Sequence, residues 1–223
     1  MIVLAYAVLF CVPLLAALAI VTHNGSARIT AIALVGGWLA MPLLTVSVSG
    51  VPDLNKASLL GGAVLVATLA ARPTLLTRWR MRWFDIPMMV WCTVPMATSL
   101  SNDLGVYDGL SGMLTQFIVW GAPYLIGRIV FGSRERLEQA GKVLLIGAAA
   151  YAPLCLLESR LAPQLHLWIY GIPGRVGWEN VSFYGPLKWK ASVFLESPLE
   201  LTLLMGIGLL FGWTLLRSGR VQS

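Results

Sequence analysis

The chain has 223 residues, 57% of them hydrophobic and only 12% charged, with a mean hydropathy of +0.77 and a formal net charge of +6. Water-soluble domains carry about a quarter charged residues, so this chain cannot cover its outside with polar groups and must sit in hydrocarbon. The positive charge does not mark a nucleic-acid partner, because the basic residues gather in short loops between apolar runs, where anionic lipid headgroups account for them.

About 20 apolar residues cross a bilayer, and somewhat fewer suffice inside a bundle. Seven runs are expected to do so, over residues 2–21, 29–48, 57–71, 86–100, 110–131, 143–157 and 191–216. The fold class is therefore all-α, a polytopic transmembrane helix bundle of about seven spanning helices in a single domain, 1–223. No segment shows the period-two alternation of a membrane barrel. The first run lacks a basic leader and a small-residue cleavage site, so it reads as a permanent helix rather than a secretion signal. Turn residues mark the boundaries, as in His23-Asn24-Gly25-Ser26 and Ser101-Asn102-Asp103. Asp85 before Ile86-Pro87 reads as a helix N-cap. Cys11, Cys92 and Cys155 fall inside spans without motif spacing and read as packing residues.

The basic loops set an orientation. Arg72, Arg78, Arg80 and Arg82 crowd one loop, Arg134, Arg136 and Lys142 another, and Arg217 and Arg220 follow the last run. The positive-inside rule makes these cytoplasmic, with the N-terminus outside and the C-terminus in the cytoplasm. Together with Arg28 and Arg128 they account for 11 of the 16 basic residues. One connection is unlike the rest. Residues 159–190 lie on the outer side and carry Trp168, Tyr170, Trp178, Phe183, Tyr184 and Trp189 among several glycines. A loop that long is usually functional or disordered, and this one is too aromatic to be disordered. Its first part, from Leu161 to Tyr170, suits a short interfacial helix.

Several residues have both a functional and a plain reading. Arg128 lies slightly inside the fifth run, either to bind phosphate through its guanidinium fork or to reach back to the headgroups. Glu196 and Glu200, four apart near the outer end of the last run, suit cation binding, proton relay or pairing of Glu200 with Lys188, Lys190 or Arg160. Pro198 between them starts or breaks a helix. Glu158 and Arg160 read as a local salt bridge or a headgroup contact. Arg175 lies in Gly174-Arg175-Val176-Gly177-Trp178-Glu179, where arginine and tryptophan suit a phosphate and a sugar face, although interfacial belts also collect aromatics. His166 is either a base or filler on an amphipathic helix. Signatures of nucleotide binding, zinc coordination and serine hydrolysis are missing from the sequence.

The stretch Trp189-Lys190-Ala191-Ser192-Val193-Phe194-Leu195-Glu196-Ser197-Pro198-Leu199-Glu200-Leu201 resembles bacterial O-antigen ligase/polymerase-like membrane proteins. There, a basic residue, small residues, a Phe and a Pro or Asn precede a span that follows an outer loop. Trp120-Gly121-Ala122-Pro123-Tyr124-Leu125-Ile126-Gly127-Arg128, with the basic loop after it, is similar to that family's mid-chain helix. The resemblance covers roughly the second half of the chain. It implies a metal-independent glycosyltransferase without cofactor, acting at the outer face of the bacterial inner membrane in cell-surface polysaccharide biosynthesis. Its substrate would be a polyprenyl-diphosphate-linked glycan, ligated to an acceptor or polymerised. Arg128, Arg175 and Lys190 would bind phosphate, Trp178 and Trp189 would stack on sugars, and Glu196 or Glu200 would position an acceptor. Lys190 stands where the family commonly has arginine, which removes a bidentate contact. Family members typically have ten or more spans, so the chain is expected to be the N-terminal part of such an architecture, with a partner subunit or a C-terminal half beyond it. The rival readings are a transporter or flippase for the same lipid-linked saccharides and a non-catalytic fragment or subunit.

Overall fold

The computed structural model describes residues 1–48, 51–75, 80–161, 164–174 and 190–217. Helices dominate it. In chain order they are α1 (Ile2–Thr22), α2 (Ala27–Ala40), α3 (Lys56–Ala71), α4 (Ile86–Ser101), α5 (Val106–Gln116), α6 (Ala122–Val130), α7 (Arg134–Leu161), α8 (Leu165–Tyr170) and α9 (Pro198–Arg217). Among the described residues, four helical stretches are long and apolar enough to cross a membrane: Ile2–Thr22, Val106–Val130, Arg134–Leu161 and Pro198–Arg217. The protein is thus a predominantly helical membrane protein. Large apolar side chains such as Leu14, Leu15, Leu209 and Trp213 face outward, as lipid contact allows and water would not.

Several helix ends differ from the sequence expectation. The second span was expected to run to Val48, but α2 stops at Ala40. Pro42 disfavours helical backbone at Met41, and the β-branched residues beyond form strand β1 (Val46–Val48), antiparallel to β2 (Val51–Leu54) with Val46 opposite Leu54. The last helix was expected from Ala191, yet α9 begins at Pro198, whose missing N–H costs nothing in a first turn. Ser197 Oγ accepts from the Glu200 N–H at 3.4 Å, and a Glu200 Oε2 accepts from the Glu196 N–H at 3.3 Å. That arrangement resembles a capping box. Glu196 and Glu200 therefore do not share a helix face, because Glu196 precedes the helix. Between α5 and α6, Phe117–Gly121 forms a π-helical turn. Pro123 supplies no N–H to the preceding turn, and its ring crowds the carbonyl four residues back, which favours the wider winding.

Glycine sets how closely the helices approach. Helix α1 packs on α2 and α3, α2 on α7, α7 on α9, and α4 on α5. A Cβ at Gly61 would lie 3.0 Å from the Ile118 carbonyl, so α3 reaches the π-turn only because that position is bare. At Gly208 a Cβ would stand 2.8 Å from that of Ala148, and at Gly141 it would meet the Phe211 ring. One apolar core joins Leu9, Ile20, Leu60, Val64, Ile126 and Val130 from α1, α3 and α6. A second joins Ala5, Leu39, Tyr151, Tyr170, Phe194 and Leu201 near the aromatic loop. Gly208→Val is expected to wedge α7 from α9 and destabilise the protein by about 1–3 kcal/mol, read as a lower Tm in detergent; an unchanged Tm would mean that α9 docks elsewhere.

Candidate functional site

Polar side chains gather at the two opposite ends of the bundle. Lys56 opens α3 and Arg72 follows it, so the 16-residue helix holds the two ends roughly 24 Å apart. At the Arg72 end, Arg72 Nε donates to the Asn24 carbonyl in the turn between α1 and α2. The N-cap role expected of Asp85 is not what its side chain does. Its carboxylate, 1% exposed, accepts from Arg128 Nε at 2.9 Å, Arg128 Nη2 at 3.3 Å, the Arg82 N–H at 2.8 Å and the Tyr124 hydroxyl. The Arg128 guanidinium also stacks over Phe84 at 4.4 Å. Bonds from Arg128 and Tyr124 hold the Asp85 carboxyl down at about 2. Arg128 therefore locks the loop before α4 onto α6 through a planar fork, and neither snorkelling nor a free phosphate fork describes it.

The aromatic-loop end is built around Glu158, near the end of α7. A local pair with Arg160 was expected. Instead, Glu158 is 1% exposed and its carboxylate turns inward, while Arg160 is exposed. Oε1 accepts from the Leu165 N–H at 3.3 Å, and Oε2 accepts from Ser192 N–H at 3.1 Å and Val193 N–H at 2.8 Å. Val193 has φ +55°, a left-handed conformation that a β-branched residue rarely adopts. The strain is held because two successive N–H groups converge on one carboxylate oxygen, a small anion nest filled by the protein's own side chain. One residue later, the Phe194 carbonyl accepts from Lys56 Nζ at 2.9 Å. The Lys56 ammonium is buried and lies 4.8 Å from the centre of the Trp38 ring.

His166 completes this end as a structural residue. The Leu43 N–H donates to Nε2 at 2.9 Å, so Nδ1 carries the proton and donates to the Ile172 carbonyl at 2.7 Å. Tyr151 and Tyr170 donate to the Leu39 and Ala40 carbonyls, which α2 leaves open at its C-terminus. Of the helix expected from Leu161 to Tyr170, the second part is present as α8, with Leu167, Trp168 and Ile169 outward and Leu165, His166 and Tyr170 buried. Gly171 ends it at φ +69°, against Met1, where any Cβ would collide.

The residues expected to form one binding site are thus divided. Lys190, Glu196 and Glu200 lie together at the aromatic-loop end, with Lys190 exposed and the two carboxylates half-buried. Arg128 lies at the other end. Arg175, Trp178 and Trp189 fall outside the described residues. Sequence reasoning did not assign a role to Lys56, a buried cation that reaches the candidate site, although a lysine following Asn55 at the start of an apolar run was a signal. Comparisons of the chain with protein-family models, curated proteins and solved structures find no match.

Replacing Glu158 by Gln is expected to cost about 1–3 kcal/mol, since an amide nitrogen cannot accept from the N–H groups left facing it. A Tm equal to wild type in detergent would show the clamp to be dispensable. A pH effect also follows from His166, which burial holds below its ordinary value of 6.5. The unfolded chain then binds the proton first, so stability is full above pH 6.5 and falls as the pH drops below it. Melting scans from pH 7.5 to 5.0 should show this loss, with a smaller slope for His166→Gln.

Proposed function

We propose that this chain is a multi-pass protein of the bacterial cytoplasmic membrane, of the O-antigen ligase/polymerase type. In this reading it transfers or polymerises glycan from a polyprenyl-diphosphate carrier at the outer face. It crosses the bilayer seven times, with its N-terminus outside and its C-terminus in the cytoplasm. Three of the crossings are short: α2, α3 and α4 have 14, 16 and 16 residues. At 1.5 Å per residue they reach roughly 21–24 Å, less than the ~30 Å of hydrocarbon. The polar connections at their ends, local bilayer thinning and their packing against longer neighbours make up the difference. The orientation draws support from the contacts, which join Arg72 to the first turn at one end and Met1 to Gly171 at the other.

The observation that carries this reading is the hook formed by residues 190–197. It is the segment that resembles the family, and Glu158 and Lys56 hold its backbone at the end where the aromatic loop begins. The hook presents Lys190 and Glu196, with Glu200 in the helical turn that follows. Lys190 and Arg175 would meet the diphosphate, while Trp178 and Trp189 would stack on sugar rings. An acceptor hydroxyl oxygen would attack the anomeric carbon, breaking its bond to the diphosphate oxygen. The proton would pass to Glu196 or Glu200, and polyprenyl diphosphate would leave with its charge balanced by cations. Arg128, paired with Asp85 at the other end, has no part in this step.

Alanine at both Arg175 and Lys190 is expected to shorten or abolish surface glycan in cells while protein levels stay normal. Unchanged glycan length and ligation at normal protein levels would reject these roles. A reporter fused near Trp178 should read as external; a cytosolic reading would overturn the orientation.

A further inference from the structure

A groove of about 580 Å3 runs along the outside of the bundle between α2 and α7. Its α2 wall falls at Arg28, Ile32, Gly36 and Leu39, and these spacings of three and four keep them on one helix face. The α7 wall repeats the pattern at Gln139, Lys142 and Ile146, with Gly147 next to the last. The two helices start at the same end of the bundle, so Arg28, Gln139 and Lys142 lie together and every lining residue beyond them is apolar. The floor is open at Gly36, where nothing lies within 4 Å of the place a Cβ would take. Gly147 lets the walls close below, since a Cβ there would stand 3.0 Å from Leu39 and 3.1 Å from Val35. From Arg28 to Leu39 the groove is roughly 16 Å long. That is close to the depth of one leaflet, about half of a 30 Å hydrocarbon core.

A slot one leaflet deep, apolar along its length and cationic at its headgroup end, complements one kind of molecule. We infer that the groove between α2 and α7 is a site for an anionic glycerophospholipid of the leaflet on the basic side. One acyl chain lies over Gly36, and the phosphate meets Arg28 and Lys142, with Gln139 adding an amide donor. Basic pockets between membrane helices recognise such headgroups, and a guanidinium suits phosphate oxygens. The site is independent of the glycan reading and requires only that the helices lie in a bilayer. Its role is to fasten α2 to α7. Those helices pack together, and their far ends carry Trp38, which stacks on Lys56, and Glu158.

The test uses the full chain purified in mild detergent and titrated with phosphatidylglycerol, phosphatidylcholine or glycerol phosphate, with bound lipid counted by native mass spectrometry. Phosphatidylglycerol should be retained in preference to phosphatidylcholine, and glycerol phosphate should not displace it. Arg28→Gln with Lys142→Gln should weaken phosphatidylglycerol binding by about 30-fold, the loss expected for two cations near a headgroup. Gly36→Leu keeps both cations and adds a side chain where nothing packs, so it should fold normally yet lose the lipid as well. Equal retention of the two lipids by the wild type would overturn the proposal. So would wild-type retention by Gly36→Leu, or displacement by glycerol phosphate alone. If the double variant does not fold, Gly36→Leu decides the question by itself.

Discussion

The carboxylate of Glu158 is the contact on which the aromatic-loop end of this protein depends. It is buried, and it accepts three backbone N–H groups from two segments that have no helical partners of their own. In a low-dielectric surrounding, an N–H without an acceptor is expensive, and so is a carboxylate without donors. Each satisfies the other, which joins the end of α7 to the start of α8 and to the segment before α9. The left-handed Val193 is the local cost of bringing two successive N–H groups onto one oxygen. Lys56 then takes the next carbonyl in line and ties the same hook to α3 and, over the Trp38 ring, to α2.

A similar economy governs the other end, with different chemistry. There Asp85 supplies the acceptor and Arg128 a matching fork, with Tyr124 and the Arg82 N–H filling the remaining positions. Both assemblies join non-adjacent elements by placing a charge where several donors or acceptors converge. They differ in what they leave open. The Asp85 assembly is closed on itself, and its charges cancel. The Glu158 assembly lies beside the exposed Lys190 and the half-buried carboxylates of Glu196 and Glu200, so charged side chains reach the surface next to the loop. That asymmetry, rather than any single residue, makes the aromatic-loop end the place to look for a ligand.

Close helix approach does the rest. Gly61, Gly141 and Gly208 let neighbouring helices touch backbone to side chain, because lipid chains are as apolar as the helices and association must come from packing. Where a glycine is not covered, as at Gly36, the same smallness leaves a slot in the surface.

What the sequence determined by itself follows from composition and short-range chemistry. Apolar runs with few charges dictate membrane helices, since hydrocarbon leaves the backbone no partner but itself. His23-Asn24-Gly25-Ser26 marks the first turn, and Ser197-Pro198 with Glu200 carries a local signal for the start of α9, although the apolar residues from Ala191 on pointed to an earlier one. The early end of α2 was also legible in Met41-Pro42, though the apolar residues beyond it masked the signal. Only the tertiary structure decided which charges meet. Lys56 and Phe194 are 138 residues apart in sequence, Asp85 and Arg128 are 43 apart, and Leu43 and His166 are 123 apart. Hydropathy treats Lys56, Asp85, Arg128 and His166 as isolated polar residues, whereas burial and pairing depend on which segments the packing brings together. The positive-inside pattern already separates Arg128 from Lys190, Glu196 and Glu200, but that Asp85 holds Arg128 is decided only by the packing.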